Sequence, residues 1–290
     1  MIFTNARRED NVRLLRIPVF AALGTLMLAP GAAAVAQDAT AEAIYARVDA
    51  LQAGSPVTIG SATLATGPLL SDIYAAREFG PLWPNEARVR ELLDVVGGAT
   101  VHGLNPEDYH AGELRSALLR QSLNPSSFGL ADVDLLATDA LIRYAYHLRF
   151  GKVNAASIDT NINFRREFQD GVDPPAAVAS LVADSRDLDM LFAERFPFGP
   201  VYREFQTELA RYRGLAEAGG WRPVPEGPTL RPGDTGPRVA ALRDRLRVTG
   251  ELAAGASPGS EDFDGELENA VRLFQQHHGL DADGIAGAQT

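Results

Sequence analysis

Few side chains in this 290-residue chain could carry covalent chemistry. It has no cysteine, so a thiolate nucleophile, a thiolate metal site and a disulfide framework are all excluded from these residues. Five histidines remain: His102, His110, His147, His277 and His278. His277 and His278 lie close in sequence to Asp281 and Asp283, all metal-ligating types. Adjacent histidines on a helix point about 100° apart and chelate one ion poorly. The same pair at a helix C-terminus is ordinary dipole-compatible chemistry. DADG, residues 281–284, has the start of a calcium loop without the distal glutamate. No metal and no cofactor is therefore expected. HGLNPEDYH, residues 102–110, sets Glu107 and Asp108 between two histidines. Paired carboxylates could serve glycoside hydrolysis. Asn-Pro-Glu-Asp is also a cap, a proline and an acidic first turn, which accounts for each residue as a helix start. Tyr109 is then expected to pack, and no catalytic residue is expected.

Two tryptophans flank turns, Trp83 in GPLWP and Trp221 in GGWRP. Exposed, they would stack on sugar faces; buried, they would anchor loops. The neighbouring glycines and prolines favour anchoring.

The charge balance is 27 basic against 38 acidic residues, a net charge of −11. That disfavours nucleic acid as a partner, and no dense Lys/Arg cluster offsets it. Residues 1–36 carry Arg7, Arg8, Arg13 and Arg16, then the apolar run IPVFAALGTLMLAP, then Ala34-Val35-Ala36 before Gln37. This is a secretory signal pattern, which places the body outside the cytoplasm in the periplasm or cell envelope. The apolar stretch from Ile17 to Ala36 is also about long enough to span a bilayer as an uncleaved anchor. Pro18, Pro30 and the small residues near its end favour cleavage. A membrane is expected as a partner only through such an anchor.

The elements that would position these side chains are mainly helical. AEAIYARVDALQ reads as an alanine-rich helix, and SPVTIGSATL as a small β excursion. Val89, Leu92, Leu93 and Val96 share one helical face that stops at Gly97-Gly98. Ala137, Leu141, Tyr144, Ala145 and Leu148 share another, ending at Gly151. DPPAAVASLVA starts with proline inside an Asp173 cap. Tyr202, Phe205, Leu209, Tyr212 and Ala216 recur at steps of three and four before Gly219-Gly220. WRPVPEGPT, residues 221–229, has three prolines and reads as a semi-rigid linker between a domain at 37–220 and a second one at 230–290.

In the second domain, Asp234 and Thr235 offer a cap to a helix with Val239, Leu242 and Leu246 inward. A second helix has Leu267, Val271 and Phe274 inward and Gly279 at its end. Two short helices cannot bury enough surface to stand alone. Thr290 is a good N-cap type, so a third helix is expected after it. Residues 230–290 are then expected to be an incomplete three-helix module, frayed in solution.

LRPGDTGPRVAALRDRL, FDGELENAVRLFQQ and HHGLDADGIAG together resemble the three-helix peptidoglycan-binding module. Leu230, Gly233, Gly236, Val239 and Leu242 fit its first run, and Ala270, Val271, Phe274 and Gln275 its second. Gly279, Leu280, Asp283, Gly284, Gly287 and Thr290 fit its third. Ala288 stands where the module usually has proline, and Arg243 where it usually has glutamine, so no binding role is carried over to 243. Upstream, IYAAREFGPLW, HGLNPEDYH, DLLATDALIRYAYHLRFGKVN and GGWRPVPEGPTLRPGD resemble the scaffold region of the YcbB-like murein L,D-transpeptidases. The resemblance implies a mainly α fold, with a helical scaffold at 37–220 and the module at 230–290. It implies peptidoglycan as the partner. It also implies a mostly β catalytic domain, bearing a histidine and a nucleophilic cysteine, that lies outside this sequence. In that family the thiolate attacks the peptide bond after meso-diaminopimelate, releases D-alanine, and an amine resolves the thioester into a 3→3 cross-link. Within the module, Gln275, Asp283 and Gly284 are the candidate substrate-binding groups, lying between the second helix and the DADG loop. Gln275 could equally brace that loop.

Overall fold

Asn85, Ser126, Asp173, Asp187 and Asp264 each offer a side-chain oxygen to a backbone N–H two or three residues on, and a helix starts after each. The structure is a computed structural model and describes residues 32–290 apart from 160, 162–165, 167–170, 197 and 258. In chain order the first helices are α1 (Ala32–Gln52), α2 (Gly67–Ala75), α3 (Glu86–Gly97), α4 (Ala111–Leu123) and α5 (Ser127–Phe150). They are followed by α6 (Pro174–Ala183), α7 (Leu188–Arg195), α8 (Pro200–Glu217), α9 (Pro237–Thr249) and α10 (Gly265–His277). The β excursion is a hairpin of β1 (Thr58–Ile59) and β2 (Ala62–Thr63), paired antiparallel with Thr58 opposite Thr63. The fold is mainly α, as the sequence indicates. The leader pattern falls largely on residues 1–31, outside the described residues, while Ala34-Val35-Ala36 lies at the start of α1. No helix among the described residues is long and apolar enough to cross a membrane.

The scaffold is built around α5. Ala131, Leu135, Leu136, Ala137, Ala140 and Leu141 are all fully buried, so this helix is covered on most sides. α1, α2, α3 and α4 pack against it. The expected faces hold: Val89, Leu92, Leu93 and Val96 of α3 are buried, as are Ala137, Leu141 and Tyr144 of α5. Arg88 docks α6 by donating to the carbonyls of Val182 (3.2 Å) and Leu181 (2.9 Å), which the end of that helix leaves unpaired.

Two buried carboxylates on α5 pin the loops that join α2 to its neighbours. Asp134 accepts from the Tyr74 hydroxyl (2.5 Å) and the N–H groups of Leu82 (2.9 Å) and Trp83 (3.0 Å). The Trp83 indole donates to Thr138 Oγ1 at 3.0 Å, so this tryptophan is a loop anchor. Burial pushes the Asp134 carboxyl up to about 6, against the pull of these donors. Its folded-state pKa is raised, so the folded chain binds more protons than the unfolded one between about 4 and about 6. Asp134 therefore makes the chain lose stability as pH rises through that window, by up to about 3 kcal/mol. Urea midpoints of the parent and Asp134→Asn, taken from pH 4 to pH 7, should diverge across that interval and run parallel above it. A difference that stays constant from pH 4 to pH 7 would show that Asp134 is already ionised at the bottom of the range.

α8 departs from expectation. Its stripe of Tyr202, Phe205, Leu209, Tyr212 and Ala216 does not form a core face, and no α8 residue is buried. Phe205 is 70% exposed. The helix touches the scaffold near residues 98–103, where Tyr202 hydrogen-bonds His102 (3.0 Å) and stacks on Phe198.

The second domain also corrects the sequence reading. Asp234 does not cap α9; its carboxylate accepts from Arg231 N–H at 2.7 Å and closes a turn. α9 begins instead after Gly236, at φ 129, with Pro237 in the first turn. Val239, Leu242, Leu246, Leu267, Ala270 and Val271 are buried between α9 and α10, and Phe274 is partly buried. Leu252, Ala256 and Phe263 from the α9–α10 connection and Leu230 from the segment before α9 add to this core. Antiparallel bridges Leu230–Ala286 and Thr235–Asp262 tie those loops together. The linker is fastened to this domain, because Arg238 donates to the carbonyls of Pro225 (2.9 Å) and Pro228 (2.6 Å).

Candidate functional site

The three residues singled out in the second domain form one hydrogen-bonded unit at the end of α10. Gly279, at φ 66, reverses the chain, and Leu280 N–H returns to the Gln275 carbonyl at 2.8 Å. That turn brings the DADG loop back over the last turn of the helix. Gln275 is 2% exposed. Its Oε1 accepts from Gly284 N–H at 2.9 Å, and its Nε2 lies 2.8 Å from Asp283 Oδ1, 3.0 Å from the Ile285 carbonyl and 3.3 Å from Thr290 Oγ1. A primary amide has two N–H donors, so these contacts consume its donors. Gln275 braces the loop.

Asp283 Oδ1 also accepts from Ile285 N–H at 2.8 Å. That N–H, followed by the Gln275 amide, holds the Asp283 carboxyl below its usual range. Its exposed carboxylate is what the trio presents to solvent. Gly284 is buried at φ 77, and a Cβ there would lie 2.8 Å from Glu268 Cγ and 3.0 Å from Arg272 Nε. Only glycine fits that position. Arg272 in turn pairs with Glu268 at 2.7 Å and donates to the Ala282 carbonyl at 2.5 Å. Thr290 Oγ1 faces Gln275.

Arg243, the departure from the usual glutamine, is fully buried. Its Nε and Nη2 donate to the Asp262 carbonyl at 3.2 and 3.0 Å, and Nη2 pairs with Asp264, the cap of α10. It is a strut between the two helices and not a surface ligand. Sequence spacing could not reveal this, because arginine is an ordinary exposed residue type.

The histidine clusters serve structure. His278 bonds the Phe274 carbonyl (2.8 Å) while His277 turns to Glu251 (3.5 Å), so the two rings do not converge. Among the described residues no group of three or more His, Asp or Glu side chains could hold a metal ion. In HGLNPEDYH, Asn105 caps a 3-10 turn at Pro106–Tyr109. Glu107 accepts from Gly112 N–H (3.1 Å) and Asp108 pairs with Lys152 (2.6 Å). Tyr109 is buried and hydrogen-bonds His147 at 3.0 Å, and burial pushes its phenol to about 12. His110 sits at φ 58 with Nε2 2.7 Å from buried Asp139. This histidine–carboxylate pair is buried and its carboxylate is occupied by loop donors, so it ties the start of α2 to α5. Sequence reading did not join Trp221 to the second domain; the structure lays the Arg245 guanidinium over its ring.

Two domain families match this chain. Residues 68–209 match a scaffold domain, and residues 235–290 match a peptidoglycan binding domain. A stretch of 72 residues is 40% identical to the N-acetylmuramoyl-L-alanine amidase CwlM of Mycobacterium tuberculosis, covering 22% of this chain and 18% of that protein. The chain thus spans less than a fifth of that relative's length. The matches support a cell-wall-associated protein with peptidoglycan as its partner.

Proposed function

We propose that this chain is the scaffold and peptidoglycan-binding portion of a periplasmic murein L,D-transpeptidase that makes 3→3 cross-links. The observation that carries the reading is the order of the two domain matches, scaffold at 68–209 and then peptidoglycan binding at 235–290, which fits the YcbB-like architecture. The family's thioester step needs a low-pKa thiol, and none of these 290 residues is cysteine. The part played by this chain is therefore retention on the wall and support of a catalytic unit. In the module, the exposed Asp283 carboxylate forms the recognition edge, and Gln275 and the buried Gly284 hold it in place.

A gene disruption tests the cross-linking role. Cells without the chain should lose part of their 3→3 muropeptides. An unchanged 3→3 fraction, with sacculus binding by the purified chain intact, would favour a non-enzymatic wall-binding adaptor. Consumption of the scaffold's histidine and carboxylate groups in loop fastening is the observation on that side.

The purified chain alone should yield no 3→3 product from tetrapeptide stems, measured by chromatography of the muropeptides. Any such product would overturn the thiol argument. Export by the leader at 1–36 predicts a mature N-terminus at Gln37, readable by mass spectrometry, whereas an intact Met1 in the membrane fraction would mean the leader is retained as an anchor.

A further inference from the structure

A strip of aromatic rings and guanidinium groups crosses the seam between α8, the linker and the second domain. The Arg245 guanidinium lies 4.1 Å from the centre of the Trp221 ring and 5.9 Å from that of Phe274. Phe274 stacks on His278 at 4.0 Å, and Tyr212 meets Trp221 edge-on at 6.3 Å. Trp221 is 40% exposed although Arg245 covers one of its faces, so the rest of the residue reaches solvent. A tryptophan that only anchors a loop is sealed, as Trp83 is at 7%.

Arg245 is the second observation. Among the described residues its guanidinium makes no hydrogen bond and no ion pair, and its Nη1 is buried without a partner. Burial lowers its pKa from the usual arginine range. A half-buried cation in a chain of net charge −11 ordinarily finds a carboxylate. Here the Glu251 carboxylate acts on its charge without forming an ion pair, and the guanidinium lies between rings. An open indole face takes a flat, apolar ring of C–H bonds, and a guanidinium with spare donors takes a carbonyl or hydroxyl oxygen. A hexopyranose bearing an acetamido group offers both.

We propose that Trp221 and Arg245 form a glycan subsite for an N-acetylated amino sugar of the peptidoglycan strand. The C–H face of the sugar lies on the exposed part of the indole beside Arg245, and its acetamido carbonyl accepts from the Arg245 guanidinium. The subsite rests on the wall-binding reading and deepens it: the glycan is held at the seam, apart from the Asp283 edge.

Trp83 and Trp221 are the two tryptophans of the chain, and Trp83 is buried in the scaffold. A change in intrinsic fluorescence on adding a sugar therefore reports on Trp221, over a constant contribution from buried Trp83. Titration of the full chain with chitotetraose should change its emission saturably, and a free stem tetrapeptide should not reproduce the change. Trp221→Ala should weaken binding to purified sacculi about tenfold, the scale of one lost stacking contact. Arg245→Gln keeps Trp221 as a reporter of folding and should weaken chitotetraose binding by a similar factor. If the parent binds sacculi, chitotetraose leaves the emission unchanged and both variants bind like the parent, the subsite is overturned and the wall-binding reading stands. If the parent does not bind sacculi at all, both fall. An emission change that follows chain concentration without sugar would make the strip a self-association face and overturn the subsite.

Discussion

Asp139→Ala should cost the scaffold about 3–5 kcal/mol, the range for removing one partner of a buried charged cluster. The carboxylate is fully buried and accepts from Ala65 N–H (2.9 Å), Thr66 N–H (2.8 Å), the Thr66 hydroxyl (2.6 Å) and His110 Nε2 (2.7 Å). Alanine would leave these donors without an acceptor at the start of α2 and beside a residue already at φ 58. Marginal stability makes such a loss a large share of the total. Urea denaturation followed by far-UV circular dichroism measures it; a loss under about 1 kcal/mol would mean that water replaces the carboxylate. The pH dependence has a definite sign. Burial alone would raise the Asp139 pKa, but the hydrogen bonds from His110 and Thr66 outweigh it and hold the carboxyl below its usual value. A depressed folded-state pKa gives stability that is present above the unfolded value, near 4, and lost as pH falls through the folded one. Asp139 and Asp134, five residues apart on α5, thus pull in opposite directions in acid.

Gln275→Ala should free the DADG loop from α10. It removes the acceptor of Gly284 N–H and the donors to Asp283 and the Ile285 carbonyl, for a loss of about 2–4 kcal/mol in this domain. Hydrogen exchange should show the Gly284 amide released. Ala270 and Val271, packed against Val239 and Leu246, should keep slower amides than Gly284. Gln275→Glu is a sharper variant of nearly equal shape. It places a carboxylate against Asp283 and removes the N–H donors, so it should destabilise the loop as well, through like-charge repulsion. Sacculus binding should fall with both. Retained protection at Gly284 with lost binding would make Gln275 a ligand instead of a brace.

Helix existence was readable where an apolar period met a glycine stop, as for α3, α5 and α10, and where a cap preceded proline, as for α6. The buried faces of α3 and α5 followed from period alone because neighbouring helices cover them. α8 shows the limit of that signal. Its stripe is as regular as that of α3, but periodicity says only that a face is apolar, not that anything covers it. The module's core illustrates another limit. Leu252, Ala256 and Phe263 sit in a turn-rich connection without period, so their contribution to the core was invisible. Gln275, Asp283 and Gly284 were singled out through the resemblance to the module, and coordinates place the three in one hydrogen-bonded unit. Gln275's role as a brace needed coordinates, since an amide reads the same whether it faces solvent or the backbone. Arg243 and Arg245, two positions apart on α9, are alike in sequence; one is sealed between helices and the other lies on an indole.

Co-sedimentation of the purified full chain with isolated peptidoglycan sacculi tests the wall-binding claim most directly. The expected result is saturable pelleting that disappears when a muramidase dissolves the sacculi beforehand. A chain that stays in the supernatant at every sacculus concentration, while circular dichroism shows it folded, would contradict it.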